Sequence, residues 1–207
     1  MSINIAITSD STSDLSPELR ERYNITTIPL GVTLGEKNYL DGIDITPDDI
    51  YEHHAKTGEL PKTSAANMSD CIDFFKTFAD EGKTVIHFSL SSEMSSTYNN
   101  SRMAAEEFEN VYVIDTRNLS TGGGLLVIAA AEMAKSGMTA KEIIKKLEEI
   151  ITRGDAYKIS MLKVGGNDLL EKGFAGKDVG EILNKLLLDV IENPNLNTYE
   201  NLINSKH

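Results

Sequence analysis

Ile3-Asn4-Ile5-Ala6-Ile7-Thr8-Ser9-Asp10-Ser11-Thr12 is the stretch on which the reading of this chain turns. A short apolar run that opens directly into hydroxyls and a carboxylate is the pattern of a strand buried on both faces, with a polar loop at its carboxyl end. Ser16 and Pro17 follow as the cap and first residue of a helix. The pattern returns at Thr84–Leu90, which runs into Ser91-Ser92-Glu93-Met94-Ser95-Ser96-Thr97, and again at Val111–Ile114, which ends on Asp115.

Helix signals separate these runs. Thr46, Pro47 and Asp49 start a helix to about Lys56, and Ile72, Phe75 and Phe78 bury one face of a helix starting at Ser69. A helix after Thr97 extends through Met103 and Phe108. Gly122–Gly124 precede an apolar helix through Ala134, and Thr139 with Glu142 forms a capping box for a helix to Ile151. Ile25–Leu30 reads as a further strand, and the run from Val32 to Tyr39 alternates around Gly35 as a small hairpin ending at Gly42. Strands alternating with helices predict an α/β fold, a parallel sheet flanked by helices with its chemistry on the carboxyl edge.

Around Arg153-Gly154-Asp155 the character changes to helix signals alone, which divides the chain into residues 1–152 and a helical appendage, 153–207. In the appendage Val179, Ile182, Leu183, Leu186, Leu187 and Val190 make one apolar stripe, ended by Asn193-Pro194, with Asn197 capping a last short helix. That stripe is expected to cap the sheet edge, pack on the helices or pair with a second copy as a homodimer.

Composition narrows the function classes. A net charge of −12 without a basic cluster disfavours non-specific nucleic-acid binding. A single cysteine, Cys71, fits a reducing, cytoplasmic setting and reads as a buried structural thiol. The longest apolar stretch, Leu125–Ala131, is far short of the roughly 20 residues needed to cross a bilayer, so no membrane anchor is expected.

Two segments carry most of the chemistry: the loop with Thr63 and Ser64, and the loop with Ser91, Ser92, Ser95, Ser96 and Thr97. Each is read as lying just before a helix, on one sheet edge, where free N–H groups and hydroxyls form an uncharged cradle for an anion such as a carboxylate. Any one of these hydroxyls reads equally well as a helix cap, but five within the seven positions 91–97 exceed what one cap uses. A nucleophilic serine needs a positioned base, and none is evident: His87 falls inside a strand, and His53 and His54 sit on an acidic helix. The aspartates at 10, 14, 41, 44 and 48 read as turn and cap residues ahead of a magnesium or phosphoryl-transfer site, so no metal and no cofactor are assigned.

Thr8–Leu15, Tyr39-Leu40-Asp41-Gly42, Pro61-Lys62-Thr63-Ser64 and Leu90–Tyr98 together resemble, in order and spacing, the amino-terminal domain of the DegV family over about residues 1–152. The resemblance implies a non-catalytic binder of a palmitate-like fatty acid, with Thr63 and Ser92 as direct ligands of its carboxylate. Ser91 and Ser64 would support them, and Asp10 and Ser11 would line the site. It also implies a carrier that presents its ligand to a fatty acid kinase. Ser96 and Ala65-Ala66 depart from the family's usual Gly and Gln-Pro, and the family's second domain is not recognisable after Ile151. In the tail, Gly166–Leu170, Gly180–Asn184 and Glu192–Asn197 resemble the end of bacterial CCA-adding tRNA nucleotidyltransferases. That second resemblance implies a fusion, natural or engineered, and contact with tRNA.

Overall fold

The computed structural model describes residues 4–153, 161–174 and 176–205. From the amino terminus the chain runs β1 (Ile5–Asp10), α1 (Pro17–Tyr23), β2 (Thr26–Ile28), β3 (Gly31–Leu34), β4 (Lys37–Leu40), α2 (Pro47–Thr57) and β5 (Lys62–Ser64). It continues through α3 (Met68–Ala79), β6 (Thr84–Ser89), α4 (Thr97–Ala105), β7 (Val111–Asp115), α5 (Thr121–Lys135) and α6 (Ala140–Arg153). Three further helices follow: α7 (Gly166–Glu171), α8 (Gly176–Glu192) and α9 (Tyr199–Ile203). Two compact units result, Met1–Glu148 and Glu149–His207. Gly154 and Asp155, where the change of character was expected, lie outside the described residues.

The first unit is the expected α/β fold. Four parallel strands lie in the order β2-β1-β6-β7, and the two central ones are buried along nearly their whole length. That double-sided burial is why Ile5–Asp10 and Thr84–Ser89 read as continuous apolar runs and not as alternations. On one face, α3 lays Cys71 and Phe75 against Ala6, Val85 and Ala104, and both side chains are fully buried. Burial of Phe75 alone contributes about 2–3 kcal/mol.

A second sheet of three antiparallel strands, β4-β3-β5, was legible only in part. The hairpin β3–β4 turns at Gly35, whose φ of +60° suits glycine. The third strand corrects an expectation: Lys62–Ser64 is β5, not a loop. It pairs antiparallel with β3, Gly31 opposite Ser64 and Val32 opposite Thr63, which gives the middle strand of this sheet a partner on both sides.

Other boundaries shift for local reasons. Asn67 caps α3, which therefore starts at Met68, and α4 stops at Ala105, short of Phe108. The glycine triplet lies inside the first turn of α5. A Cβ at Gly124 would sit 2.5 Å from the Ser13 carbonyl oxygen, so a glycine there lets α5 close on the turn that follows β1.

The second unit has its own core, built from Leu162, Val164, Leu169, Ile182, Leu183, Leu186, Val190 and Leu202. The α8 stripe read from the sequence supplies half of it. Thr198, not Asn197, caps α9. The Asn197 side chain instead accepts from the Lys163 amide (2.9 Å) and donates to the Met161 carbonyl (3.0 Å).

Candidate functional site

In a parallel sheet all strands end on one edge, and here three of those ends carry acids and hydroxyls: Asp10 on β1, Ser89 on β6 and Asp115 on β7. The Asp10 carboxylate is 1% exposed. Its Oδ1 accepts from the Thr12 hydroxyl (2.6 Å) and amide (3.2 Å), and its Oδ2 accepts from the Ser89 hydroxyl (3.0 Å) and the Leu90 amide (2.8 Å). Burial pushes its pKa above the ordinary value, and these four bonds pull the other way without cancelling the rise. A carboxylate with four donors joins the loops after β1 and β6, and it has little capacity left for a ligand. Asp10, expected to line the site, is placed as the buried post on which the site is built.

A cavity of about 10 Å³ lies beside it, bounded by Asp10, Ser13, Ser89, Thr116, Asn118 and Gly123 among others, room for one water at most. A larger cavity, about 300 Å³, lies by the amino half of β1, its lining including Ile5, Ile7, Phe78, Arg22, Lys83 and Lys135.

Ser11 is used in the frame as well. Its hydroxyl accepts from the Leu30 amide (3.1 Å), and the Leu30 carbonyl accepts from the Asp41 amide (2.9 Å). The residue after Leu30 is Gly31, opposite Ser64 in the antiparallel sheet. A Cβ at Gly31 would lie 2.2 Å from the Ser64 hydroxyl oxygen, so the absence of a side chain there is what seats Ser64. Thr63 and Ser64 are exposed, and among the described residues neither hydroxyl has a hydrogen-bond partner.

The expected position of Thr63 and Ser64 at a helix start on the same sheet edge as Ser91–Thr97 is corrected: α3 begins only after Asn67, and the two residues lie on β5 of the antiparallel sheet. The tie to the other hydroxyl segment is indirect. Ala66 is buried, and its carbonyl accepts from the Asn100 side chain (2.8 Å) on α4, the helix into which the Ser91–Thr97 loop leads.

Within that loop most hydroxyls are already engaged. Ser91 is 5% exposed and its Oγ accepts from the Glu93 amide (3.2 Å). Ser95 accepts from the Thr97 amide (3.1 Å) and shares a 2.9 Å bond with the Thr97 hydroxyl. Ser96, at the start of α4, makes no side-chain capping bond, which leaves first-turn amides for another acceptor.

Ser92 is exposed, and its hydroxyl donates to Asp115 Oδ2 at 2.6 Å. Asp115 Oδ1 meanwhile accepts from the backbone amides of Ser92 (3.2 Å) and Arg117 (3.0 Å). Sequence reading passed over Asp115. A carboxylate ending a strand is a weak signal until the loop of the neighbouring strand, 23 residues earlier, is known to sit over it.

The catalytic alternatives find no geometry among the described residues. No histidine bonds to Ser91 or Ser92. His87 is fully buried, in edge contact with the rings of Phe74 and Phe75, and its Nδ1 shares a 3.0 Å bond with the Thr8 hydroxyl. Burial depresses its pKa to about 3. Cys71 is buried against the Ser101 hydroxyl, and burial pushes its thiol pKa up, away from thiolate chemistry. No cluster of three metal-ligating side chains occurs among the described residues, and none of their helices is long and apolar enough to cross a membrane.

Comparison with known proteins adds a family and its solved structures. The family model described as an uncharacterised protein of the DegV family matches residues 4–167. A DegV domain-containing protein of Clostridium perfringens is 37% identical over 147 residues, 70% of this chain and 53% of the relative. One of Staphylococcus aureus is 34% identical over 188 residues, 89% of this chain and 65% of the relative. The chain thus spans between about half and two thirds of the length of these relatives. The match reaches beyond residue 152, where the likeness was expected to stop. Among solved structures, a DegV lipid-binding protein of Thermotoga maritima superposes with a TM-score of 0.66 at 32% identity, covering 73% of this chain and 55% of that one. DegV of Bacillus subtilis, a fatty acid binding protein, gives 0.67 at 32% identity, with 73% and 55% covered. A stearic acid-binding protein of Eubacterium ventriosum gives 0.64 at 32% identity, with 70% and 52% covered.

Proposed function

The chain belongs to the DegV family, and from that premise we propose that it binds a fatty acid or a related lipid carboxylate and acts as a carrier, not a catalyst. The observation that carries this reading is the split among the polar side chains of the candidate site. Ser92, Thr63 and Ser64 are exposed, while Asp10, Ser91 and Ser11 are spent holding the segments that present them. The exposed donors are uncharged, and a carboxylate is well served by several hydroxyl and amide donors, which leave it free to be handed on.

Thr63 and Ser92 are the proposed direct contacts, with Ser64 and the amides at the start of α4 beside them. A palmitate-like chain extends from there over apolar surface. A fatty acid kinase is the partner that such a carrier would serve, acting on the carboxyl group while the binder holds it.

For the second unit, alignment with the Staphylococcus aureus relative over 89% of the chain favours a continuation of the family chain over a foreign segment. Contact with tRNA is the lesser reading, since the acidic and basic residues of this unit nearly balance.

Native mass spectrometry of the protein purified from a bacterial host, followed by titration with palmitate, tests the proposal. A co-purified mass of about 250–300 Da, roughly 16 to 18 carbons, with saturable uptake is the expected result. Neither bound lipid nor palmitate uptake would remove it.

A further inference from the structure

We infer that Asp115 is a positioning residue that competes with the bound headgroup for Ser92 and so sets how fast the ligand leaves. The inference rests on the proposed lipid-carboxylate function. The Ser92 proton points at Asp115 Oδ2 (2.6 Å), so the Ser92 oxygen turns only lone pairs outward. An incoming carboxylate is acceptor-only and gains nothing from that oxygen until Ser92 rotates its proton away from Asp115. One proton thus serves two carboxylates in turn, and when it returns to Asp115 the ligand loses a charge-assisted bond. The arrangement suits a protein that must release what it holds.

The geometry makes one substitution unusually informative. Asp115 Oδ1 is fixed by two backbone amides, those of Ser92 and Arg117, at 3.2 and 3.0 Å. In D115N these donors select the amide oxygen for that position, which turns the NH₂ group toward Ser92 and reverses the bond. Ser92 then accepts from the side chain at 115, and its proton is free for the ligand.

The test is stopped-flow release of the fluorescent fatty acid cis-parinaric acid from the full chain, with four proteins: wild type, D115N, S92A and the double variant. High salt screens any through-space effect of the lost charge. Release is expected to slow about tenfold in D115N, the weight of one charge-assisted bond, and to change little when the same substitution is made beside S92A. Unchanged or faster release in D115N, or equal slowing without Ser92, overturns the inference while leaving lipid binding intact. Absence of uptake by the wild type removes both. A second measurement needs no substitution at 115: the carboxyl ¹³C signals of labelled aspartate should include one that moves when palmitate is added to the wild type and stays still in S92A. The same shift in both proteins counts against the exchange.

Discussion

Asp10 and Asp115 close strands on the same edge of the same sheet, yet they are bound in opposite ways. Asp10 is inside, with four donors from the loops after β1 and β6. Asp115 accepts from three donors, one of which belongs to the exposed Ser92. A single side-chain chemistry therefore performs two tasks within one row of strand ends. In the middle of the sheet it holds the fold; toward the rim it holds Ser92, the group proposed to face the ligand. If the contrast is correct, substitutions in the middle cost stability, and substitutions at the rim cost binding.

The largest effect is expected at Asp10. D10A strands the buried Ser89 and Leu90 donors and loosens the Thr12 turn. A loss of about 3–5 kcal/mol is expected from urea unfolding followed by circular dichroism. A loss below about 1 kcal/mol would mean that water reaches these donors and that the post is not what carries the edge.

His87 extends the contrast inward. Its ring is buried neutral and its pKa is depressed to about 3, whereas an unfolded histidine titrates near 6.5. Below pH 6.5 the unfolded chain takes up a proton that the folded chain refuses. The stability contributed by the neutral ring is thus complete above that pH and is lost as pH falls toward 3, at about 1.4 kcal/mol per pH unit. Between pH 7 and 5 the loss amounts to about 2 kcal/mol. H87F should flatten that slope, whatever it does to stability itself. An equal slope in H87F would assign the acid sensitivity elsewhere.

The two sheets also differ in what the chain reveals without coordinates. The parallel sheet was legible because burial on both faces writes continuous apolar runs, and the caps Thr46-Pro47 and Thr139 with Glu142 are local devices whose partners lie three residues away. Strand β5 was not legible: its three residues are all exposed, so they carry no apolar period, and their partner Gly31 stands more than thirty positions earlier. The candidate site divides along the same line. The hydroxyls were visible as a cluster, but which of them are engaged depends on contacts such as Ser11 with Leu30 and Ser92 with Asp115, which no local pattern encodes.

The smallest effect on the fold, and the sharpest test of the contrast, is expected at the rim. T63A and S92A each remove one exposed hydroxyl, and neither leaves a buried donor or acceptor unpaired. Thr63 has no partner to lose among the described residues, and Asp115 keeps two backbone amides when Ser92 loses its hydroxyl. Unfolding free energies should therefore stay within about 0.5 kcal/mol of the wild type. Palmitate affinity should fall about tenfold for T63A, the weight of one hydrogen bond to a charged group, and less for S92A, whose hydroxyl gives up its bond to Asp115 to reach the ligand. Because both hydroxyls would hold one headgroup, the double variant should lose less than the product of the two. If each single variant weakens a different one of two palmitate sites and leaves the other unchanged, the two positions serve separate ligands and the shared cradle has to be abandoned.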